Sequence, residues 1–569
     1  MNISNWLRHI PETINSRPWG SFAVAALLLV AYQLPAVVYG LDMCDAGFYL
    51  TFYDNIFAHP ATVSYNFMYY LSGLLGGALQ TLFPAMGLVG MRLAGLALCL
   101  ATMAIAYGTL QRLVTPARAL LGCALVVVAY VPAVLILNYD LVSLLLYVAA
   151  IAIMLSGMQR HSLGLMCVAG IIVGANCFSR TPNVVAVAMA VAPVVDALYC
   201  KTSMAKALRL ALAFLAGTAC GIVAVLGVMT ALGHYDLWLG NMRDLRSIAS
   251  DSNASHSLGN MIMAQLIFYA QALWAAVKIG TVVALWLVTR KRIESQWLRM
   301  AVLACCMIAS AWFMWRMPPL RPVWGMCLVG CLWVVASRRA SVQLKMAAWL
   351  GLFLQLAFPL GSDSGALNNG AIIAWISAPV AMALWGRRQL LPFVAVLALG
   401  CGLRLASGDI YFDKGPLAQK TATIASDRAS GMLTTPERAR AVNAMLAGVA
   451  PHVSASDTLL AFGSIPLANY LTRTCPAMGC SWPEQMSPAM LASRLDSLSA
   501  HGSRPAILQQ KFSTIGVEWG TPSEQHLSAY ETTNVYLDNR KLTLMRRFIE
   551  RNGYRRAYSD RWFVLFVAR

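Results

Sequence analysis

The sequence is short of charge. Asp, Glu, Lys and Arg make up 12% of its 569 residues, against 59% apolar, where a soluble globular chain carries about 25% charged residues. Too few charged side chains are present to coat water-facing globules of this size. That excludes a wholly soluble chain and a disordered one. Acid is scarcer than base, with 24 Asp+Glu against 43 Lys+Arg and a net charge of +19. Common site signatures are missing too: no Walker loop, no Gly-x-Ser-x-Gly elbow and no histidine pair at metal spacing.

What the chain has is apolar length. Thirteen runs approach the roughly 20 residues needed to span a bilayer: 19–39, 88–110, 117–137, 141–157, 162–178, 183–199, 207–233, 264–289, 298–315, 322–337, 344–361, 370–386 and 388–406. The stretch from Asn66 to Met86 is also apolar. It carries Gly73, Gly76 and Gly77 and is read as a helix lying at the interface or re-entering the membrane. The Met1–Gly20 stretch reads as a short cytoplasmic helix feeding an uncleaved first span.

The basic residues test that topology. With the N-terminus inside, the inside loops and their flanks hold 17 Lys/Arg, and the outside loops hold five: Arg180, Arg243, Arg246, Arg316 and Arg321. Counting Arg92 and Arg404, just within the outer ends of spans, raises the outside number to seven. The asymmetry fits the positive-inside rule, and counting 66–86 as a span would reverse it. The expected layout is a polytopic α-helical membrane domain over 1–406, N-terminus in the cytoplasm, in a bacterial inner membrane. From about Ser407 the composition changes. Residues 407–569 hold 18 Lys/Arg and 13 Asp/Glu and read as a C-terminal extracytoplasmic α/β domain. Asp457–Gly463, Arg504–Gln510 and Arg561–Val567 read as its strands, and Leu542–Asn552 as an amphipathic helix. No basic face for nucleic acid emerges.

Of fourteen cysteines, most fall inside the apolar runs and read as small packing residues. Cys475 and Cys480 differ: they lie in the C-terminal domain, four residues apart in Cys475–Pro–Ala–Met–Gly–Cys480. They are expected to close a disulfide in an oxidising compartment.

Because charge is scarce, the acids stand out. The first outside loop (40–87) opens Gly40–Leu–Asp42–Met–Cys–Asp45–Ala–Gly–Phe–Tyr49 and adds Asp54, with no Lys or Arg before Arg92. Asp42 and Asp45 are three apart and would share a helix face. Carboxylates backed by aromatics at a membrane surface suit a general base acting on a substrate whose apolar tail stays in the bilayer. The same acids also suit a solvated loop and a helix cap. A second acid follows in Asn138–Tyr139–Asp140, where Asp140 is read either as an N-cap or as a substrate or metal contact. Asp363, amid Gly and Ser, reads as a turn. The outside arginines, Arg180, Arg243, Arg246, Arg316 and Arg321, run against the insertion bias and offer guanidinium forks for phosphate or for lipid headgroups. Lys278 falls in mid-span, where an ionisable group is expensive; it is read as a phosphate or acid partner, or as snorkelling.

The layout resembles the polytopic GT-C glycosyltransferases, in particular the branch holding protein O-mannosyltransferases and lipid A aminoarabinose transferases. The likeness is sharpest at Asp42 to Tyr49, at Tyr65–Asn–Phe–Met–Tyr–Tyr70 and at Met91–Arg92–Leu–Ala–Gly95. Family members often place an Asp-Glu pair shortly before a Tyr; here the place reads Asp45–Ala46–Gly–Phe–Tyr49, without the Glu. The resemblance implies Asp45 as catalytic carboxylate, Asp42 as its helper, and Asp140, Tyr49 and Asn138 as substrate contacts. It implies inverting transfer of a sugar from a polyprenyl-phosphate or polyprenyl-diphosphate carrier to an acceptor hydroxyl on a glycan, lipid or protein. Arg180, Lys278, Arg243, Arg246, Arg316 and Arg321 are the candidates for stabilising the leaving phosphate. No cofactor is certain; a divalent cation is a candidate, with Asp45 and Asp140 as its ligands. Other classes are a lipid-linked glycan flippase, which would line its spans with more ionisable groups, a glycan polymerase or ligase, and a non-catalytic scaffold.

Overall fold

The structure is a computed structural model and describes residues 11–130, 135–250, 257–362, 365–367, 370–408, 413, 415–511 and 539–569. Asp363 lies outside the described residues.

Each of the thirteen apolar runs overlaps a helical segment, the run 117–137 only as far as Ala129. Among the described residues, seven helices are long and apolar enough to cross a membrane: Pro18–Val38, Pro84–Leu110, Tyr139–Gln159, Thr181–Cys200, Met204–Ala231, Leu258–Arg292 and Gln296–Trp315. Five more apolar helices are shorter, namely Pro116–Ala129, Leu163–Asn176, Leu320–Ala336, Val342–Ala357 and Leu391–Ala406. Residues Gly370–Ala374 and Ser377–Trp385 form one further helical stretch, broken at Trp375 and Ile376. The helix starts are written in short polar residues. The side chains of Thr115, Ser162, Ser257, Ser295 and Ser341 each accept from the backbone N–H three residues on, satisfying a donor that the first turn leaves unpaired.

Small residues decide which helices touch. Leu163–Asn176 and Met204–Ala231 cross at glycines: a Cβ on Gly170 would meet the Phe214 carbonyl oxygen at 2.0 Å, and one on Gly217 would meet that of Cys167 at 2.0 Å. Between apolar helices in lipid, close backbone approach of this kind supplies the association energy that water cannot.

The stretch read as interfacial or re-entrant is a 3-10 segment, Pro60–Tyr69, and a short helix, Tyr70–Leu82. At 13 residues that helix is about 20 Å long, short of the ~30 Å hydrocarbon core. Gly73, Gly76 and Gly77 seat it on Phe52, Tyr53 and Ile56 of the helix Asp45–Asn55.

The C-terminal part contains an antiparallel pair, β1(Ala422–Thr423) with β2(Leu433–Thr434), and a five-stranded sheet, in the order β4(Cys475–Pro476), β3(Thr458–Phe462), β5(Ala506–Gln510), β7(Phe563–Ala568), β6(Tyr554–Ser559). β4, β3 and β5 run parallel, β7 is antiparallel to β5, and β6 to β7. Two inner strands are continuous apolar runs, as a sheet covered on both faces requires: Leu459–Phe462 and Phe563–Phe566 are buried throughout, and between them β5 ends in the buried Gln509 and Gln510. The three strands and the helix expected here are present, the helix at Asn539–Arg551. The sequence reading missed β4, which is two residues long, and β6, whose Arg-rich outer positions hide an edge strand.

Packing joins what composition separates. The first loop shares one buried apolar cluster with the C-terminal domain, running from Leu41, Phe48 and Phe52 to Leu467, Leu508 and Phe566. The Leu467 N–H donates to the Met43 carbonyl (3.0 Å) and the Gly40 N–H to that of Leu433 (2.9 Å). Gly47 lies so close that a Cβ there would stand 2.0 Å from the Leu467 nitrogen. Arg428 grips Asp54 at 2.5 and 3.2 Å. Beneath this contact the buried Asp413 carboxylate accepts from the Leu41 N–H (2.6 Å), from Thr434 Oγ1 (2.7 Å) and from Arg438.

Candidate active site

The site begins with a loop held from both sides. Arg92, 6% exposed, donates to the carbonyls of Val37 (3.2 Å), Tyr39 (3.0 Å) and Gly40 (2.6 Å). These are carbonyls at the C-terminal end of the first helix, where cation and dipole attract. Asp42 then turns its carboxylate onto the start of the next helix. Oδ1 accepts from the N–H groups of Cys44 (2.8 Å) and Asp45 (3.1 Å), and Oδ2 from that of Ala46 (2.8 Å). This corrects the expectation for Asp42. It lies outside the helix, shares no helical face with Asp45, and both of its oxygens accept from backbone N–H groups. Burial pushes its carboxyl up to about 6, against the three N–H groups and Arg92. The cap places Asp45 as first residue of the helix, at the positive end of its dipole.

A second correction concerns the other acid. The Asn138 side chain, not Asp140, caps the helix Tyr139–Gln159, accepting from the Leu141 N–H at 3.0 Å. The capping task therefore falls to Asn138, which had been read as a substrate contact. Asp140 is 7% exposed in the first turn of that helix.

Tyrosines tie the two acids together. Tyr69 stacks on Tyr139, with centroids 3.9 Å apart and planes at 7°. Tyr49 meets Tyr139 edge-on at 5.6 Å. The Arg180 guanidinium stands 6.0 Å from the Tyr139 ring and 5.0 Å from that of Phe358. Arg180 is 4% exposed; it donates to the carbonyls of Phe358 and of Leu360 (3.0 Å), at the end of the helix Val342–Ala357. Burial pushes the Tyr69 phenol up to about 12, with Arg180 pulling it down and Asp140 and Asp45 pushing it up. Tyr49 is raised by burial and then by Tyr139, Asp45, Tyr69 and Asp140. Asp45, Asp140, Arg180, Tyr49, Tyr69 and Tyr139 thus form one electrostatic neighbourhood at one end of the helix bundle.

None of the other candidate cations is among the charges acting on Tyr49, Tyr69 or Tyr139. Lys278 sits against the rings of Trp274 (5.2 Å) and Phe313 (5.9 Å). It is 20 residues into a 35-residue helix, about 30 Å from its start. Arg316 stacks on Trp312 at 4.1 Å. Arg243 and Arg246 are exposed on the helix Tyr235–Ser250, and Arg321 lies at the start of Leu320–Ala336 with its Nε buried and unpartnered.

Two further expectations meet the structure here. Cys475 and Cys480 are free thiols rather than a disulfide. Cys475 sits in β4 with its Sγ on Asn55 Oδ1 (3.6 Å), and the Sγ of Cys480, beyond a 3-10 turn, accepts from the Trp482 N–H (3.3 Å). As for a cation, no three His, Cys, Asp or Glu side chains come together to hold one among the described residues. Asp45 and Asp140 would hold an ion only with further oxygens, from backbone carbonyls, water or a substrate, completing its shell.

Sequence reasoning allowed a helix cap among the first-loop acids, gave the second cap to Asp140 rather than Asn138, and missed the stacked pair Tyr69–Tyr139. The signal for Arg92 was present, as the only cation between Arg17 and Arg112. Nothing in sequence announced that Tyr69 and Tyr139 meet, because 70 residues separate them.

No family model and no curated protein sequence matches the chain. Among solved structures it is similar to ArnT from Cupriavidus metallidurans in the apo state, at 14% identity and a TM-score of 0.39, covering 96% of each chain. It is likewise similar to the same protein bound to undecaprenyl phosphate, at 13% identity and a TM-score of 0.36, covering 96% of this chain and 97% of that one.

Proposed function

We propose that the chain is a glycosyltransferase of the cell envelope that moves a sugar from a polyprenyl-phosphate carrier to an acceptor hydroxyl. The observation that carries this reading is the site itself. A carboxylate at a helix N-terminus, an aromatic wall and a buried arginine share one end of an apolar helix bundle. Asp45 takes the proton of the acceptor hydroxyl. The oxygen bonds to the anomeric carbon from the face opposite the carrier, and the bond from that carbon to the phosphate oxygen breaks with its electron pair. Arg180 offers N–H groups beyond those spent on the two carbonyls to the charge that builds on the phosphate. Asp140 and the tyrosines orient the sugar. The bundle buries the isoprenoid, which contributes affinity without touching the chemistry. The excess of basic residues in alternate loops supports a cytoplasmic N-terminus, with the site and residues 407–569 outside.

Asp45→Asn tests the reading. Membranes carrying the full chain are supplied with a radiolabelled lipid-linked sugar pool, and label leaving the carrier is counted. Loss of at least 100-fold is expected for a missing general base, with undecaprenyl phosphate still retained on the purified variant. Transfer within a few fold of wild type would remove the mechanism. The flippase reading finds little support, since Lys278, the charge expected to line a path, lies between aromatic rings.

A further inference from the structure

The aromatic wall continues past the acids. Phe48 lies one turn after Asp45 on the same helical face and meets Tyr69 edge-on at 6.4 Å. It also meets Trp482 of the C-terminal domain, at 5.9 Å. Trp482 belongs to Ser481–Trp–Pro–Glu484, where three buried polar atoms lack a hydrogen-bond partner: Ser481 Oγ, Trp482 Nε1 and Glu484 Oε2. Ser481 is 1% exposed and Glu484 9%. The segment is otherwise well tied. The Gly463 N–H donates to Glu484 Oε1, Lys541 Nζ to the Glu484 carbonyl (2.6 Å) and Tyr65 Oη to that of Gln485 (3.4 Å). Each buried polar atom left unpaired costs about 1–3 kcal/mol, so three within four residues call for a partner. Their place is suggestive of one. The Cys44 thiol, between Asp42 and Asp45, feels the charges of Asp45, Asp42 and Glu484 alike.

We propose that Ser481, Trp482 and Glu484 seat the acceptor, and that the group they seat is a neutral, hydroxyl-rich carbohydrate. This rests on the transferase reading above and names the substrate class it leaves open. The three side chains offer an indole N–H donor, a hydroxyl that donates and accepts, and a carboxyl. Burial raises the Glu484 carboxyl to about 8, so at neutral pH it also both donates and accepts. None of the three is a cation, and the nearby Lys541 is engaged by the Glu484 carbonyl, so the three side chains themselves suit a polyol rather than a phosphate or carboxylate. The indole gives sugar C–H groups an apolar face. The wall then has two ends, Arg180 for the leaving phosphate and Ser481–Glu484 for the acceptor, with Asp45 between them.

The test uses the same labelled membranes, with carrier retention on purified protein as a second readout. Trp482→Leu and Glu484→Ala are expected to lower transfer at least tenfold while undecaprenyl phosphate is retained as in wild type. Glu484→Gln, which keeps neutral hydrogen bonding, should lose no more than threefold. Octyl β-glucoside below its micellar concentration, a neutral hydroxyl-rich probe, should slow wild-type transfer and leave the residual transfer of Trp482→Leu unslowed. Octyl sulfate should not compete. Loss of carrier along with transfer would show a structural role and overturn the proposal. So would equal slowing of wild type and Trp482→Leu by the glucoside, or stronger competition by the sulfate. No label transfer by wild type would instead sink the transferase reading.

Discussion

At the scale of single residues, the site is built by polar groups that do backbone work so that others do not. Asp42 and Asn138 cap two helices, Arg92 and Arg180 close the C-terminal ends of two more, and Asp45 and Asp140 sit beside these anchors. Glu484 shows the cost of burying an acid. Its carboxyl is raised from 4.5 to about 8 by burial, with Cys44 and Cys480 near it and Lys541 pulling the other way. The folded state therefore holds a proton that the unfolded chain releases. Stability falls as pH rises from about 4.5 to about 8, by at most about 1.4 kcal/mol per pH unit. Asp42, raised to about 6, acts in the same direction below pH 6. Thermal unfolding in nanodiscs at pH 6 and pH 8 should show wild type losing stability relative to Glu484→Gln. Parallel behaviour of the two proteins would mean that the carboxyl is charged in the fold.

At the scale of elements, glycine contacts set which helices pair. Gly217→Ala would push a methyl into the Cys167 carbonyl at 2.0 Å. On the same helix, a Cβ at Gly227 would meet nothing within 4 Å. The first substitution is expected to cost about 3 kcal/mol or more, and the second to stay within about 0.5 kcal/mol, measured by unfolding in mixed micelles. Similar values at both positions would mean that the two helices do not approach as described. That the apolar runs are helices was legible in sequence, because apolar length is a local signal; their ends were not, and several helices start or stop some residues away from the ends of those runs. Asp42 was read as sharing a helix face with Asp45, three residues on; it precedes the helix and caps it instead, the other reading that the sequence allowed.

At the scale of the whole molecule, the C-terminal domain and the first loop are one packed body. Its polar centre is Asp413, fully buried between Arg438 and Lys420. Arg438→Met leaves that carboxylate short of its main counter-charge and is expected to cost about 3–5 kcal/mol. The cost of Arg438→Met should be smaller in an Asp413→Asn background than in wild type, because the carboxylate that Arg438 faces is then gone. Equal costs in the two backgrounds would argue that the ion pair is not coupled.

Several features followed from the sequence alone. The scarcity of charge required a membrane, the lengths of the apolar runs required helices, and the change in composition near Ser407 marked where strands begin. These are properties of neighbouring residues, and the solvent each segment prefers decides them. The tertiary structure decided what depends on distant residues meeting. It stacked Tyr69 on Tyr139, brought Arg180 to the two acids and gave capping to Asp42 and Asn138. It also set Trp482 against Phe48, 434 positions earlier in the chain. No local pattern encodes those meetings, because they follow from how buried faces fit together.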